Sequence, residues 1–430
     1  MHFIRYVVAA VMIVLCFPLP LLAAEGGEYI AIRKEGSGNI ALVLNKLDGP
    51  VKEESGLAQS LDTIMHDGLD FTGLFTMISP PLNVKDNSSR VNFGALDSVG
   101  AAVYAGGSVS NTAGAVSLDM EVYDTSGAKL LLKKTYHGKQ QQLRTIGYAF
   151  CADLVELLTG KKSIFGSKIV FVSNKTGFKE IYECDFDGHG LEQLTNSRSI
   201  SLTPALSPDG KYLAYTDFSS GYPALSIKNL ADGKTFTAGQ SGISIDPGWR
   251  NSSEVATTLS FEGDQKIYLI KADGTISRRL TFSKGIDLSP SFSPDGNKMA
   301  YVSDRNGLPQ IFIEDLQSGQ VSRLTFSGRY NTQPSWSPAG DKIAYTTWES
   351  GSEINIFTIG VDGSGLKQLT ENSGENESPS WSPDGRMIVF ASNRKGKKKL
   401  YIMGATGENQ RPLLQSSGEQ MQPCWSLFSR

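Results

Sequence analysis

Histidine, cysteine and aspartate are the residues of this chain whose chemistry could matter, and histidine and cysteine are scarce, four of each. His66, His137 and His189 follow the first 24 residues, no two of them close in sequence. Nucleophilic catalysis needs a serine raised on a sharp turn and a histidine to take its proton. No Gly-x-Ser-x-Gly occurs, so the pattern points away from an enzyme. Asp185-Phe186-Asp187-Gly188-His189-Gly190 resembles the start of a calcium loop. An EF-hand needs a bidentate acid at its twelfth position and helices on both sides. Here the twelfth residue is Asn196 and the flanks are strand-like, so a hairpin is expected. No phosphate-cradling glycine loop and no Cys/His zinc spacing is present, and no cofactor or metal is implied.

The remaining acids recur in a turn. The tetrad reads SPDG at Ser207–Gly210, Ser293–Gly296 and Ser382–Gly385, and SPAG at Ser337–Gly340. Degenerate copies are GWRNSS (Gly248–Ser253) and CWSLFS (Cys424–Ser429). Successive copies lie 43, 43, 44, 45 and 44 residues apart. A second marker keeps that beat: Leu194-Thr195, Leu280-Thr281, Leu324-Thr325 and Leu369-Thr370. Serine first, proline with φ preset, then aspartate and glycine make a type I turn, so these acids are structural. A period near 44 with several short strands per unit predicts a six-bladed β-propeller over residues 163–430. Taking Asn297–Gly340 as the pattern, Lys298–Ser303, Gln310–Asp315, Val321–Thr325 and Pro334–Ser337 are its four strands. The first unit starts at Lys168–Ser173 without a Pro-x-x-Ser strand, and the last ends in one, Pro423–Ser426. The C-terminal strand is therefore expected to complete the first blade. Cys424 and Cys184 then lie two strand spacings apart, beyond disulfide reach.

Residues 25–162 do not repeat and read as a mixed α/β domain. Strands are expected at Tyr29–Arg33, Asn39–Leu44, Leu74–Ile78, Val99–Ser108, Val116–Tyr123 and Leu130–Tyr136. Helices are expected at Glu54–Asp67, stopped by Gly68, and at Gln140–Thr159, capped by Gly160. Lys161–Ser167 then links the two domains. Residues 1–24 read as an export signal, with Arg5 before the apolar run Tyr6–Leu15 and a Leu22-Ala23-Ala24 cleavage site. That run is too short and proline-broken to span a bilayer, and no direct membrane insertion is expected. Without Arg5 the chain has 40 basic against 44 acidic residues, a balance that argues against nucleic acid. The one basic cluster, Arg394–Lys399, reads as a solvated hairpin tip.

What remains for function is surface. The loops between each Leu-Thr and the next Pro-x-x-Ser vary most within the repeat and crowd one end of the channel. Arg329, Tyr330, Asn331, Glu375, Asn376 and Glu377 give them a polar and aromatic mixture suited to a protein partner. An export signal, an α/β segment and six such units together resemble the TolB family of periplasmic Tol-Pal proteins. The likeness is strongest at Val302–Ile313, at Tyr330–Pro338 and at Asp70-Phe71-Thr72-Gly73-Leu74-Phe75. It implies a monomeric, non-enzymatic periplasmic adaptor that maintains outer-membrane integrity and supports its invagination at division. It further implies that the propeller mouth binds the lipoprotein Pal through Asp246, Ser289, Thr332, Gln333, Glu377 and Ser378, alongside the loop residues Tyr330 and Asn331. The inner-membrane protein TolA would engage Glu28, Tyr29, Ile30, Ala31, Ile32, Arg33 and Lys34. The alternative is an exported propeller that holds a small molecule or glycan in its channel. Convergent aromatic or charged lining would favour that alternative. Trp249, Trp336, Trp381 and Trp425 instead share one repeat position, which reads as core packing.

Overall fold

Alternation of apolar residues makes β1 (Ile40–Leu44) a strand, and it pairs in parallel with both β2 (Phe75–Met77) and β3 (Val103–Thr112). β4 (Ala115–Asp124) and β5 (Lys129–Lys139) continue from β3 as an antiparallel meander, in the order β2-β1-β3-β4-β5. The structure is a computed structural model and describes residues 39–48, 52–85, 88–238, 244–260, 263–349 and 353–426. The signal segment and Tyr29–Arg33 lie outside the described residues.

Helices α1 (Lys52–Phe71) and α3 (Leu143–Thr159) pack together on one face of this sheet. Leu61, Met65 and Leu69 of α1 and Phe150 and Leu154 of α3 are sealed against Leu118 and Val122. Gly160 ends α3 in the left-handed conformation, at φ 67°, as its position predicts. Two expectations need correction. Gly68 does not stop α1. A Cβ there would lie 2.7 Å from the Tyr148 ring and 3.0 Å from the Phe165 ring, so the glycine serves helix contact, and the chain turns at Gly73, φ 64°. The strand expected at Val99 begins instead at Val103, because a short helix, α2 (Phe93–Ser98), precedes it. Asn92 caps α2 by accepting the Ala95 N–H at 3.2 Å, and Leu96 fills the second face of the sheet beside Val43 and Tyr104.

Residues beyond α3 form six four-stranded antiparallel sheets, the blades of a propeller. With strands lettered a to d from the channel outward, blade 4 is Asp287–Phe292, Lys298–Ser303, Gln310–Asp315 and Val321–Arg323. The sequence unit is thus offset from the blade by one strand. Its Pro-x-x-Ser strand, Tyr330–Trp336, pairs forward with Lys342–Trp348 and becomes strand a of blade 5. The same offset closes the ring. Gln420–Trp425 is strand a of blade 1, with Cys424 opposite Val170 and Trp425 opposite Ile169. Trp425 Nε1 donates to Ser167 Oγ at 2.9 Å, and Ser426 Oγ accepts the Lys168 N–H at 2.9 Å. Cys184 stands on strand c of that blade, opposite Ile169, and Cys151, Cys184 and Cys424 are all free thiols.

Both sequence markers have local causes. In the tetrad, Ser382 Oγ donates to Asp384 at 2.6 Å and accepts the Met387 N–H at 2.9 Å, while the Gly385 N–H returns to the Ser382 carbonyl. In the Leu-Thr pair, the threonine hydroxyl accepts the first inward N–H of strand c, from Ile311 to Thr325 at 2.9 Å and from Ile356 to Thr370 at 2.9 Å. The repeated tryptophans are buried, and Trp249 and Trp381 each donate to a carbonyl of the preceding blade.

Antiparallel order gives the ring two unlike ends. Tetrads and c–d turns share one, d–a loops and b–c turns the other. The N-terminal domain sits on the tetrad end. Phe186 of the blade 1 c–d turn is fully buried among Phe71, Tyr148 and Phe165, with ring centroids 5.2–5.3 Å away. Arg411 of blade 6 lies 4.6 Å over the Phe71 ring and donates to the Phe71 carbonyl at 3.0 Å.

Candidate functional site

Each inner strand carries the same irregularity where it meets the channel. Strand a slips register in every blade, and a proline sits in each slip: Pro204, Pro247, Pro290, Pro334, Pro379 and Pro423. A bulge has no ladder partner to lose, so it tolerates proline and bends the strand. The residue before each proline takes a positive φ between 48° and 56°: Thr203, Asp246, Ser289, Gln333, Ser378 and Gln422. Those six residues and their prolines line one cavity of about 180 Å³ at the waist of the channel.

Around that waist the side chains join blades in alternate pairs. Gln422 Oε1 of blade 1 accepts the Thr203 N–H of blade 2 at 3.0 Å. Ser289 of blade 4 donates to Asp246 Oδ2 of blade 3 at 2.8 Å. Gln333 Oε1 of blade 5 accepts the Ser378 N–H of blade 6 at 2.9 Å and the Thr346 hydroxyl at 2.8 Å. Asp246 is the one carboxylate in this lining. Burial pushes its pKa up, and the Ser289 hydrogen bond partly opposes that. Among the described residues, no three His, Cys, Asp or Glu side chains converge on a point that could hold a metal.

The expected site residues fall into two layers. Asp246, Ser289, Gln333 and Ser378 belong to the waist. Thr332 and Glu377 lie one residue further out, half-buried, and Glu377 is paired with Lys398 at 2.7 Å. Tyr330 stands at the rim with its ring 5.1 Å from that of Trp348. Asn331 differs in kind. It is fully buried, donating to Gln310 Oε1 at 2.8 Å and accepting from Thr347 at 2.9 Å. Ser201, Ser244, Asp287, Asn376 and Gln420 hold the same place in the other blades, all buried. In blade 5 the third residue before the proline is thus a brace, while its neighbour Thr332 is half-buried. Glu28–Lys34 lie outside the described residues.

The histidines do not come together. His66 is exposed on α1 beside Asp67, and His137 on β5 faces Ser117 across an exposed strand pair at 3.0 Å. His189 neighbours Asp187 in the c–d turn of blade 1, a hairpin as expected. The sequence gives no hint of what Asp187 does there. Its Oδ2 receives the Tyr148 hydroxyl at 2.6 Å and the Arg144 guanidinium, both from α3, and locks the two domains together. Burial alone would raise its pKa, but those two donors outweigh it and hold the carboxyl below its usual range.

A Cβ at Gly340 would lie 3.6 Å from Pro294 and one at Gly385 3.3 Å from Pro338, so each of these tetrad glycines faces the proline of the preceding tetrad. In blade 3 Ser252 and Ser253 stand at the last two tetrad positions, and a groove of about 630 Å³ is lined there by Tyr212, Phe236, Ser253 and Lys271.

The d–a loop end of the ring also collects apolar side chains. Among the described residues of the propeller, Phe178, Ile200, Tyr222, Phe282, Ile286, Leu308, Phe326 and Trp348 are exposed there, against Phe236, Val321 and Leu366 elsewhere. The variable loops point to this end in the sequence, but nothing there singles out these eight side chains. An exposed apolar residue and a buried one look alike until the strand phase is known.

Residues 155–429 match the TolB beta propeller domain, and residues 28–131 match the TolB amino-terminal domain. A protein TolB homolog of Chlorobium luteolum is 63% identical over 408 residues, covering 94% of each chain. The Tol-Pal system protein TolB of Desulfosudis oleivorans is 40% identical over 283 residues, 64% of each chain. The crystal structure of TolB from Acinetobacter baumannii superposes with a TM-score of 0.78 at 26% identity, over 90% of this chain and 97% of that one.

Proposed function

The chain belongs to the TolB family, and from that premise we propose that it is a periplasmic adaptor which binds Pal at the mouth of its propeller and TolA through Glu28–Lys34. The family is one of Tol-Pal system components, not of enzymes. Among the described residues, no helix is long and apolar enough to cross a membrane. In this role the protein couples two envelope proteins, maintains outer-membrane integrity and supports its invagination at division.

The observation that carries the reading is the contrast between the two ends of the ring. One end carries the chain's own N-terminal domain, docked against blades 1 and 6. The other collects eight of the propeller's large exposed apolar side chains around a polar channel, and exposed apolar surface marks interaction sites. The channel waist, at about 180 Å³, is smaller than the ~300–1,000 Å³ of ordinary ligand pockets and has no aromatic lining. A protein partner is therefore favoured over a small ligand.

Isothermal titration of residues 25–430 with soluble Pal tests it. Saturable one-to-one binding is expected, weakened about tenfold or more by Thr332→Ala with Glu377→Ala, as for substitutions near an interface centre. Absence of binding at high micromolar Pal would remove the assignment and leave the fold. Deleting Glu28–Lys34 should abolish capture by TolA and spare Pal.

A further inference from the structure

In four blades Leu-Thr directly follows strand d, and the residue before that pair donates to the threonine carbonyl in each. In blades 1 and 5 the donor is glutamine: Gln193 to Thr195 at 2.7 Å and Gln368 to Thr370 at 2.8 Å. In blades 3 and 4 it is arginine, whose Nε makes the same bond: Arg279 to Thr281 and Arg323 to Thr325, both at 2.7 Å. Glutamine therefore satisfies whatever the fold requires here.

The residue after the threonine changes in step. It is polar after the glutamines, Asn196 and Glu371, and phenylalanine after the arginines, Phe282 and Phe326. These rings are 76% and 75% exposed, the most exposed large apolar side chains among the described residues of the propeller. The arginine planes hold them, at 5.0 Å for Arg279 on Phe282 and 4.8 Å for Arg323 on Phe326. Such a cation–π contact fixes a ring that would otherwise sample rotamers in water. Both pairs stand on the outer rim of the mouth end, in adjacent blades. The segments Arg278–Ile286 and Ser322–Tyr330 contain five basic residues and no acid before Tyr330, in a chain whose overall charge is negative.

We propose that Phe282 and Phe326 are two pre-positioned prongs that dock an acidic protein partner at the rim of blades 3 and 4. Each phenyl ring enters an apolar depression on the partner. Arg279, Lys284, Arg323 and Arg329 face carboxylates around it. Fixed aromatic anchors flanked by arginine are the residue types that dominate binding energy at interfaces, because little freedom is lost on docking. The inference rests on the reading of the mouth as a protein-binding face and adds a second, peripheral contact to the channel waist.

A swap variant tests it, with Arg279→Gln, Phe282→Asn, Arg323→Gln and Phe326→Asn together. These substitutions copy the blade 1 pair, so the threonine bond is kept and the melting temperature should match that of the unaltered chain. A second variant, Phe282→Ser with Phe326→Ser, leaves both arginines in place and serves if the first folds poorly. With soluble Pal as the probe, each variant should bind about tenfold or more weakly, and the swap variant should lose much of the salt dependence of binding. Full-strength binding by the folded variants would overturn the prongs while leaving the mouth assignment intact. No binding by the unaltered chain overturns the mouth assignment and the prongs with it.

Discussion

Glu314, on strand c of blade 4, is a carboxyl held inside a blade. It is 9% exposed, and burial pushes its pKa up to about 7, with Arg305 opposing and Asp287 reinforcing the shift. A carboxyl with a raised folded pKa stabilises the fold most below its unfolded value, near 4.5 here. That contribution is lost as pH rises toward about 7. Urea unfolding from pH 4.5 to 8 should therefore show Glu314→Gln gaining on the unaltered chain as pH rises, then running parallel above pH 7. Parallel curves over the whole range would mean that the carboxyl is already charged in the fold. Little at this scale is legible in sequence. Glu314 reads as one polar position in a strand, and Asp187 as one acid in a turn. Their chemistry comes from Arg305, Asp287, Arg144 and Tyr148, groups that only the fold brings to them.

Elements were legible in proportion to their length and repetition. The six-fold beat fixed the blades because each tetrad and each Leu-Thr pair does the same hydrogen-bonding work in its own unit. The long helix α3 declared itself through its apolar stripe and its glycine cap. Helix α2 did not, since six residues carry too little periodicity to separate helix from strand. Gly68 misled for a different reason. A glycine late in an amphipathic run is usually a stop, yet this one admits the rings of Tyr148 and Phe165 against α1. Gly68→Ala separates the two roles by sign. Helix propensity alone would stabilise by about 1 kcal/mol. Crowding at the ring contact should instead destabilise by about 1–3 kcal/mol. Equilibrium denaturation decides, and a more stable variant would make Gly68 an ordinary helix residue.

At the scale of the whole molecule, two bodies share one core, which runs from Leu61 and Phe150 through Phe186 to Val389 and Trp425. The two-domain architecture was readable from where the repeat begins. The junction was not, because Phe71, Tyr148, Phe186 and Arg411 come from four distant stretches. Asp187 is the polar lock of this junction. Its folded pKa is depressed, so its contribution is present above the unfolded value of 3.8 and lost as pH falls through the folded one. Asp187→Ala leaves Arg144 and Tyr148 without their acceptor and should cost about 2–4 kcal/mol at neutral pH. Calorimetry should then resolve two transitions where the unaltered chain shows one. A single, unshifted transition would mean that the aromatic contacts alone hold the domains.

Strand a of blade 1 also sets a timetable. Trp425 and Ser167 are 258 residues apart in the chain yet hydrogen-bonded in the ring. Synthesis delivers a chain from its N-terminus, so blade 1 waits open-edged while the five other blades are made. An open strand edge is the kind of surface that mispairs or aggregates. The N-terminal domain docks against this same waiting blade. A chain stopped twenty residues early would therefore lack more than a strand: it would leave the platform on which its first domain rests unfinished.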